Sequence, residues 1–178
     1  MLWAVLGVLV VGGLFALYRF LMWGITGAPA ERPDDGSGPV PLTIAPFGII
    51  PVTGDYRLDA QAALNAWSAG LLAVQAHGDA ARADFNLYTN PAWTAGVEAA
   101  LSAVEAAADA MRALPPAPPE YAAASEAIGQ LAGSSDAAVE DMRASLSGDP
   151  EASGRVQLHL NQAAGAFQFA QQALLGVP

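Results

Sequence analysis

The stretch at residues 90–111, NPAWTAGVEAALSAVEAAADAM, decides the fold of the C-terminal part of the chain. It opens with Asn90, a residue that caps helix N-termini, and Pro91, which is favoured at the first helical position. Apolar residues then recur every three or four positions, at Trp93, Val97, Leu101, Val104, Ala108 and Met111. Four prolines between 115 and 119 stop the pattern. The stretch therefore predicts an amphipathic helix with one buried face.

Three other segments show the same periodicity with start and stop residues. The first covers 56–77 and is predicted to end at Gly78, and 79–89 is predicted as a short helix or a loop. The third covers about 119–146, and its Gly133-Ser134-Ser135 sequence predicts a kink or a break. The last begins at the cap Asp149-Pro150 and ends before Gly176. Short connections place neighbouring helices antiparallel, so residues 57–178 are predicted to form an all-α four-helix bundle.

The predicted core consists of the periodic apolar residues of these helices. Besides those already named, they are Leu64, Trp67, Leu71, Val74, Tyr121, Ala124, Ile128, Leu131, Val139, Met142, Leu146, Val156, Leu160, Ala163, Phe167, Ala170 and Leu174. Alanine is abundant between them, which favours helix formation and close packing but buries little area per residue. We therefore expect a slim bundle of modest stability.

Residues 1–27 are predicted to form a single transmembrane helix. Trp3 and Trp23 lie twenty residues apart, about 30 Å along a helix, which matches the hydrocarbon thickness of a bilayer. Together with Tyr18 they form an aromatic belt at both interfaces, and Arg19 can extend its charge to the headgroups. The alternative is a cleaved signal peptide with a site at Ala28-Pro29-Ala30, but the residues before the apolar stretch include no basic side chain.

The predicted span also contains small residues at helical spacing. Gly12, Gly13 and Ala16 would let another transmembrane helix approach closely, although glycines also occur by chance in apolar helices.

Residues 28–56 are predicted to form an extended arm, because prolines and glycines recur too closely for a helix. The second half of the arm is too apolar for solvent. Its large apolar residues are Leu42, Ile44, Phe47, Ile49, Ile50 and Val52. They are predicted to pack either on the chain's own bundle or on a neighbouring subunit.

Charge and composition exclude several classes of function. The net charge is −10, and all seven basic residues are arginines spread along the chain, which argues against nucleic-acid binding. The absence of cysteine excludes disulfides, thiolate chemistry and iron–sulfur ligation. Counting basic residues favours a cytoplasmic domain. The lysine-free bundle behind an N-terminal anchor instead resembles exported proteins, and we expect an extracytoplasmic domain on a bacterial inner membrane.

No group of residues predicts catalysis, and neither a cofactor nor a metal is expected. His77 and His159 are interpreted as ordinary histidines at a helix end and a surface, since neither belongs to a Glu-x-x-His pair. The carboxylates Glu98, Glu105 and Asp109, and likewise Glu140-Asp141, are interpreted as solvated faces. The last helix is rich in glutamine, which suits either a generic polar face or interfacial hydrogen bonds.

The favoured hypothesis is a non-catalytic accessory subunit of a larger membrane protein complex, photosynthetic or respiratory for example. Its partners would be the membrane and other transmembrane subunits. The alternatives are a stand-alone anchored binding module or envelope sensor, and a haem- or metal-binding bundle.

Overall fold

Residues 53–176 are described by a computed structural model, and this part of the chain is helical without strands, as predicted for the all-α class. The four long helices are α1 (Tyr56–Ala83), α2 (Pro91–Arg112), α3 (Ala122–Leu146) and α4 (Ala152–Leu175). Single 3₁₀ turns, Phe85–Thr89 and Pro119–Tyr121, precede α2 and α3. Helix α1 begins at Tyr56, one residue inside the range predicted for the arm.

The predicted anchor and most of the predicted arm lie outside the described residues. This applies to Trp3, Gly12, Gly13, Ala16, Tyr18, Arg19 and Trp23, and to Leu42, Ile44, Phe47, Ile49, Ile50 and Val52. Among residues 53–176, none of the helices combines the length and the apolar character needed to cross a membrane.

The helix starts agree with the sequence for α2 but not for α4. The Asn90 side chain accepts a hydrogen bond from the Ala92 amide at 2.9 Å, as its position before Pro91 predicts. The predicted cap Asp149 lies in the turn before α4, where its carboxylate accepts from the Glu151 amide at 2.9 Å. Helix α4 therefore begins later than predicted, with Glu151 at its N-cap and no side-chain capping bond.

The predicted helix end at Gly78 is wrong, and so is the predicted break at Gly133-Ser134-Ser135. Gly78 does not end α1, which continues to Ala83, because helix-forming residues follow it and Asp79 pairs with Arg82 one turn later. The Gly133-Ser134-Ser135 sequence does not break α3 either. The Ser135 hydroxyl donates to the Leu131 carbonyl at 2.6 Å, four residues earlier, so the polar side chain is satisfied within an intact helix.

Consecutive helices run in opposite directions. The Trp93 indole at the start of α2 donates to the His77 carbonyl near the end of α1 at 3.0 Å. Arg112 at the end of α2 reaches Asp136 of α3, and the Trp67 and Phe167 rings of α1 and α4 lie 5.0 Å apart. Each helix packs against the next along the chain, and α1 also contacts α4, so the four helices form one bundle.

The predicted stripes form the core. All of the predicted core residues are buried or packed against the core except Leu146, which is 49% exposed at the last turn of α3. Leu146 lies beside the turn that connects α3 and α4, so no helix covers its outer side. Alanine is the most frequent buried apolar residue in the described part, which agrees with the expected close packing.

The α1–α2 interface depends on a glycine in the middle of α1. A Cβ built on Gly70 would lie 2.9 Å from Val104 Cγ2 and 3.1 Å from the Val104 backbone nitrogen. The backbone cannot move away without separating the two helices, so only glycine fits at this position.

We expect Gly70→Ala to lower the free energy of unfolding by about 1–3 kcal/mol, because the added methyl group overpacks this interface. The matched control is Gly129→Ala on α3, where a Cβ would meet nothing within 4 Å. That substitution should raise stability by up to about 1 kcal/mol through helix propensity. Urea denaturation of both variants checks the pair, and equal effects would contradict the close approach at Gly70.

Candidate functional site

A charged cluster joins α2 to α3 on the surface of the bundle. Arg143 of α3 binds Glu98 with its Nε at 2.9 Å and its Nη2 at 2.5 Å. The same guanidinium holds both carboxylate oxygens of Glu105, one of them at 2.9 Å from Nη2. Two of the three carboxylates predicted as a solvated face of α2 are thus occupied by one arginine. The third, Asp109, is exposed and pairs with Arg112 of its own helix.

This cluster favours the charged forms of its members. The hydrogen bonds from Arg143 lower the pKa of the Glu105 carboxyl below its ordinary value of 4.5, and burial only partly opposes them. The bonds to Glu105 and then Glu98 raise the pKa of Arg143. A proton at Glu105 would remove the negative charge that pairs with Arg143, so this pair links α2 to α3 in its charged form.

Because the pKa of Glu105 is lower in the folded chain, its contribution to stability is present above the ordinary pKa and disappears as the pH falls through the folded-state pKa. We expect Glu105→Gln to cost about 1 kcal/mol near neutral pH and less below pH 4.5. Urea denaturation of both chains at pH values from about 3 to about 7 measures the difference. In an Arg143→Gln background the Glu105→Gln effect should vanish, and its persistence would show that Arg143 is not responsible.

A second cluster lies between α3 and α4 around Asp141. Its carboxylate accepts a hydrogen bond from Arg155 Nε at 2.8 Å and lies 3.0 Å from His159 Nδ1. Asp141 is 7% exposed, so the interpretation of Glu140-Asp141 as a solvated face is wrong for Asp141, while Glu140 is exposed. His159 is also more than an ordinary surface histidine, because it supplies the second partner of a buried carboxylate.

A carboxylate beside a histidine also occurs in catalytic dyads, where the aspartate orients the imidazole towards a nucleophile. Two serines of α3 and α4, Ser145 and Ser153, are hydrogen-bonded to each other through their hydroxyls at 2.8 Å. Within the described range, no three histidine or carboxylate side chains are placed to hold a metal ion. The geometry is that of an ionic contact between two helices.

We expect Asp141→Ala to lower the free energy of unfolding by about 1–3 kcal/mol, because Arg155 and His159 lose their shared acceptor at a buried position. The neighbouring Glu140→Ala should change stability by less than about 0.5 kcal/mol, since that side chain is exposed. Thermal denaturation of the two variants provides the comparison. Equal stabilities would mean that the Asp141 contacts contribute nothing.

His77 lies within α1, not at its end as predicted, and its ring packs against α2. A Cβ on Gly96 would come within 2.6 Å of His77 Cε1, so glycine makes room for the imidazole. His77 Nε2 is buried without a hydrogen-bond partner, and burial lowers the pKa of this histidine. The ring therefore favours its neutral form and serves as a packing group between the two helices.

The bundle encloses a small apolar cavity between all four helices. Its volume is about 10 Å³, and its lining includes Trp67, Leu101, Val139 and Leu160. A single water molecule needs about this much space and at least two polar partners. The lining offers the Ser135 hydroxyl, which already bonds Trp67 and Leu131. This cavity is a packing defect too small for a haem or an organic ligand.

The chain that enters α1 is tied to the first turn of the helix. The buried carboxylate of Asp59 accepts from the Thr53 amide at 2.7 Å, the Thr53 hydroxyl at 2.8 Å and the Gly54 amide at 3.1 Å. The Thr53 amide bond, followed by the other two, lowers the pKa of Asp59, although desolvation opposes it. Asp55 caps the same turn through the Leu58 amide. This joint holds Thr53 and Gly54 against the first turn of α1.

The outer side of α4 is an uncharged surface with exposed apolar side chains. From residue 157 to 175 the helix contains no Asp, Glu, Lys or Arg, in a chain whose net charge is −10. Leu158 and Phe169 are 53% and 55% exposed on this side, and Asn161, Gln162, Gly165 and Gln172 lie exposed around them. We call this group the outer face of α4.

Sequence reasoning identified the glutamines of α4 but missed the face as a whole. The helical period places Leu158 and Phe169 nearly opposite the buried stripe, and the absence of charge is visible in the sequence. Both observations were available. The Asp141 cluster, by contrast, requires knowledge of which α4 residues lie beside α3.

Comparisons with protein-family models, curated proteins and solved structures found no match to this chain. The function is therefore inferred from the chain's own residues.

Proposed function

We propose that this protein is a non-catalytic accessory subunit of a larger membrane protein complex. In this proposal the N-terminal segment at residues 1–27 anchors the chain, the arm at 28–56 lies against neighbouring subunits, and the helical domain binds protein through the outer face of α4. In the same proposal, the helical domain lies on the extracytoplasmic side of a bacterial inner membrane.

The outer face of α4 carries this proposal. A surface helix of a soluble domain usually presents charged side chains to water, and they keep the protein soluble. The outer face presents Leu158 and Phe169 instead, with amide side chains between them. Interface cores are depleted in charge and enriched in aromatic residues, and glutamine and asparagine supply hydrogen bonds around them. The composition of the face is that of a contact surface for another protein.

The charged residues of the domain support the same proposal. Arg143, Arg155 and Arg112 each bind carboxylates of a neighbouring helix or turn. These ion pairs join α2, α3 and α4. A domain whose arginine–carboxylate pairs join its helices, and whose uncharged face points outward, suits a bracing role better than chemistry on a substrate.

The experiment compares native complexes that contain the wild-type chain or a face variant. The full chain is expressed in its native membrane, extracted in mild detergent and run on a native gel, and its partners are identified by mass spectrometry. We expect wild type to migrate with a large complex and Leu158→Glu/Phe169→Glu to lose at least about tenfold of that association, since central apolar contacts dominate interfaces.

The matched control is Leu58→Glu on α1, which is also an exposed leucine at 59%. This variant should migrate as wild type. Migration of the wild-type chain alone, near its own mass of 18.2 kDa plus detergent, would overturn the proposal. Equal loss in the control and the face variant would show that added negative charge, and not the outer face, caused the effect.

A further inference from the structure

The His77 ring lies in a slot between α1 and α2 that suits it only in its neutral form. A Cβ built on Gly96 would lie 2.6 Å from His77 Cε1, 3.0 Å from Nε2 and 3.4 Å from Nδ1, so the ring covers the Gly96 backbone. One turn earlier in α2, the Trp93 indole donates to the His77 carbonyl at 3.0 Å. The buried Nε2 has no hydrogen-bond partner among the described residues. A charged ring carries an N–H on both nitrogens, so Nε2 would become a buried donor without an acceptor.

The charged residues of α1 and of the following 3₁₀ turn do not compensate a charge on His77. Asp79 follows His77 by two residues, which places it on the far side of α1, where it pairs with Arg82. In the 3₁₀ turn, Asp84 is exposed and caps the turn. Burial raises the pKa of Tyr88, so its phenol stays neutral. The remaining charged residues of α1 lie in its first turn, at Arg57 and Asp59.

The other helices supply no free carboxylate to His77 within the part of the chain that the structure describes. In α2, Glu98 is bound by Arg143, and the later charged residues lie further from the start of that helix, at Glu105, Asp109 and Arg112. In α3, Asp141 bonds His159 and an arginine of α4, while Glu140 is exposed. Beyond its first turn, α4 contains no Asp, Glu, Lys or Arg.

We propose that His77 is an acid-sensitive switch: when its imidazole takes up a proton, the ring leaves the slot over Gly96 and the end of α1 separates from the start of α2. This inference goes beyond the proposed function and does not depend on it. Burial lowers the pKa of His77 from its ordinary value of 6.5. The closed contact is therefore fully stable above the ordinary value and loses stability as the pH falls towards the lowered pKa.

Acid opens this contact selectively, because the other polar contacts of the bundle keep their charges in the same pH range. The pKa values of Glu105 and Asp59 are lowered, so both carboxylates stay charged while His77 titrates. A protonated His159 retains the Asp141 carboxylate as its partner. The α2–α3 and α3–α4 contacts therefore persist, and the opening is confined to the end of α1 and the start of α2.

The opening uncovers an aromatic cluster at this end of the bundle. The Tyr88 ring lies 6.4 Å from Phe85 and 5.1 Å from Trp93, measured between ring centroids. Phe85 is already 54% exposed, whereas Tyr88 and Trp93 are partly covered. Once the hydrogen bond between Trp93 and His77 is lost, the acid form presents a larger aromatic surface to its surroundings.

Hydrogen exchange of the full chain in mild detergent tests the switch, with labelling times scaled for the effect of pH on the chemical exchange rate. Between about pH 7.5 and about pH 5, we expect amide exchange in residues 84–97 to rise at least about threefold and at most about thirtyfold. The upper limit is set by an open form in which His77 has its ordinary pKa of 6.5. Exchange of the α4 amides should stay unchanged.

His77→Phe keeps a flat ring in the slot but cannot take up a proton, so the rise should disappear. The matched control is His159→Gln, which removes the other histidine and should retain the rise. The proposal is overturned if wild type shows no rise, if His77→Phe still shows it, or if His159→Gln abolishes it.

A second measurement on the wild-type chain needs no variant and decides the case if His77→Phe does not fold. Carbon NMR of the imidazoles should show His77 titrating below 6.5, over the same pH range in which exchange rises. A His77 that titrates at its ordinary pKa while exchange stays constant would contradict the switch.

The native gel tests the accessory-subunit proposal separately, since its outcome does not involve His77.

Discussion

The arrangement of the four helices depends on the placement of one indole ring. Trp67 is buried in α1, its Nε1 donates to the Ser135 hydroxyl of α3 at 2.7 Å, and its ring packs against Phe167 of α4. In a core built mostly from alanine, few side chains are large enough to reach across the bundle. A buried N–H without an acceptor is costly, so the indole fixes the rotation of α3 relative to α1.

The remaining contacts follow from that register. With Ser135 facing Trp67, the next turns of α3 direct Asp141 towards α4 and Arg143 towards α2. The α2–α3 and α3–α4 pairs then each have their own ionic contact, and exchanging these neighbours would separate a charge from its partner. For α1 and α2, the close approach at Gly70 and the packing of His77 over Gly96 determine the pairing through shape. Small side chains bring the helices close, and specific polar contacts determine which helices are neighbours.

Local pattern determines which parts of this fold the sequence could predict. The buried stripes and the Asn90 cap were predicted because periodicity and capping depend on neighbours within about four residues. The glycine at 78 was misread, since it lacks the left-handed backbone with which glycine often ends a helix, and the described glycines with positive φ are Gly54 and Gly148. Asp141 was misread because its burial comes from α4. The predicted anchor and its Arg19 belong to residues that the structure does not describe.

The distribution of charge links the fold to the proposed contact. The ion pairs lie between α2 and α3 and between α3 and α4. The outer face of α4 contains no charged residue. Because α1 and α4 are antiparallel, the start of α1 lies at the same end of the bundle as the end of α4. The Asp59 joint fixes the incoming chain at that end. Thr53 and Gly54 are therefore held at the end of the bundle where α4 ends.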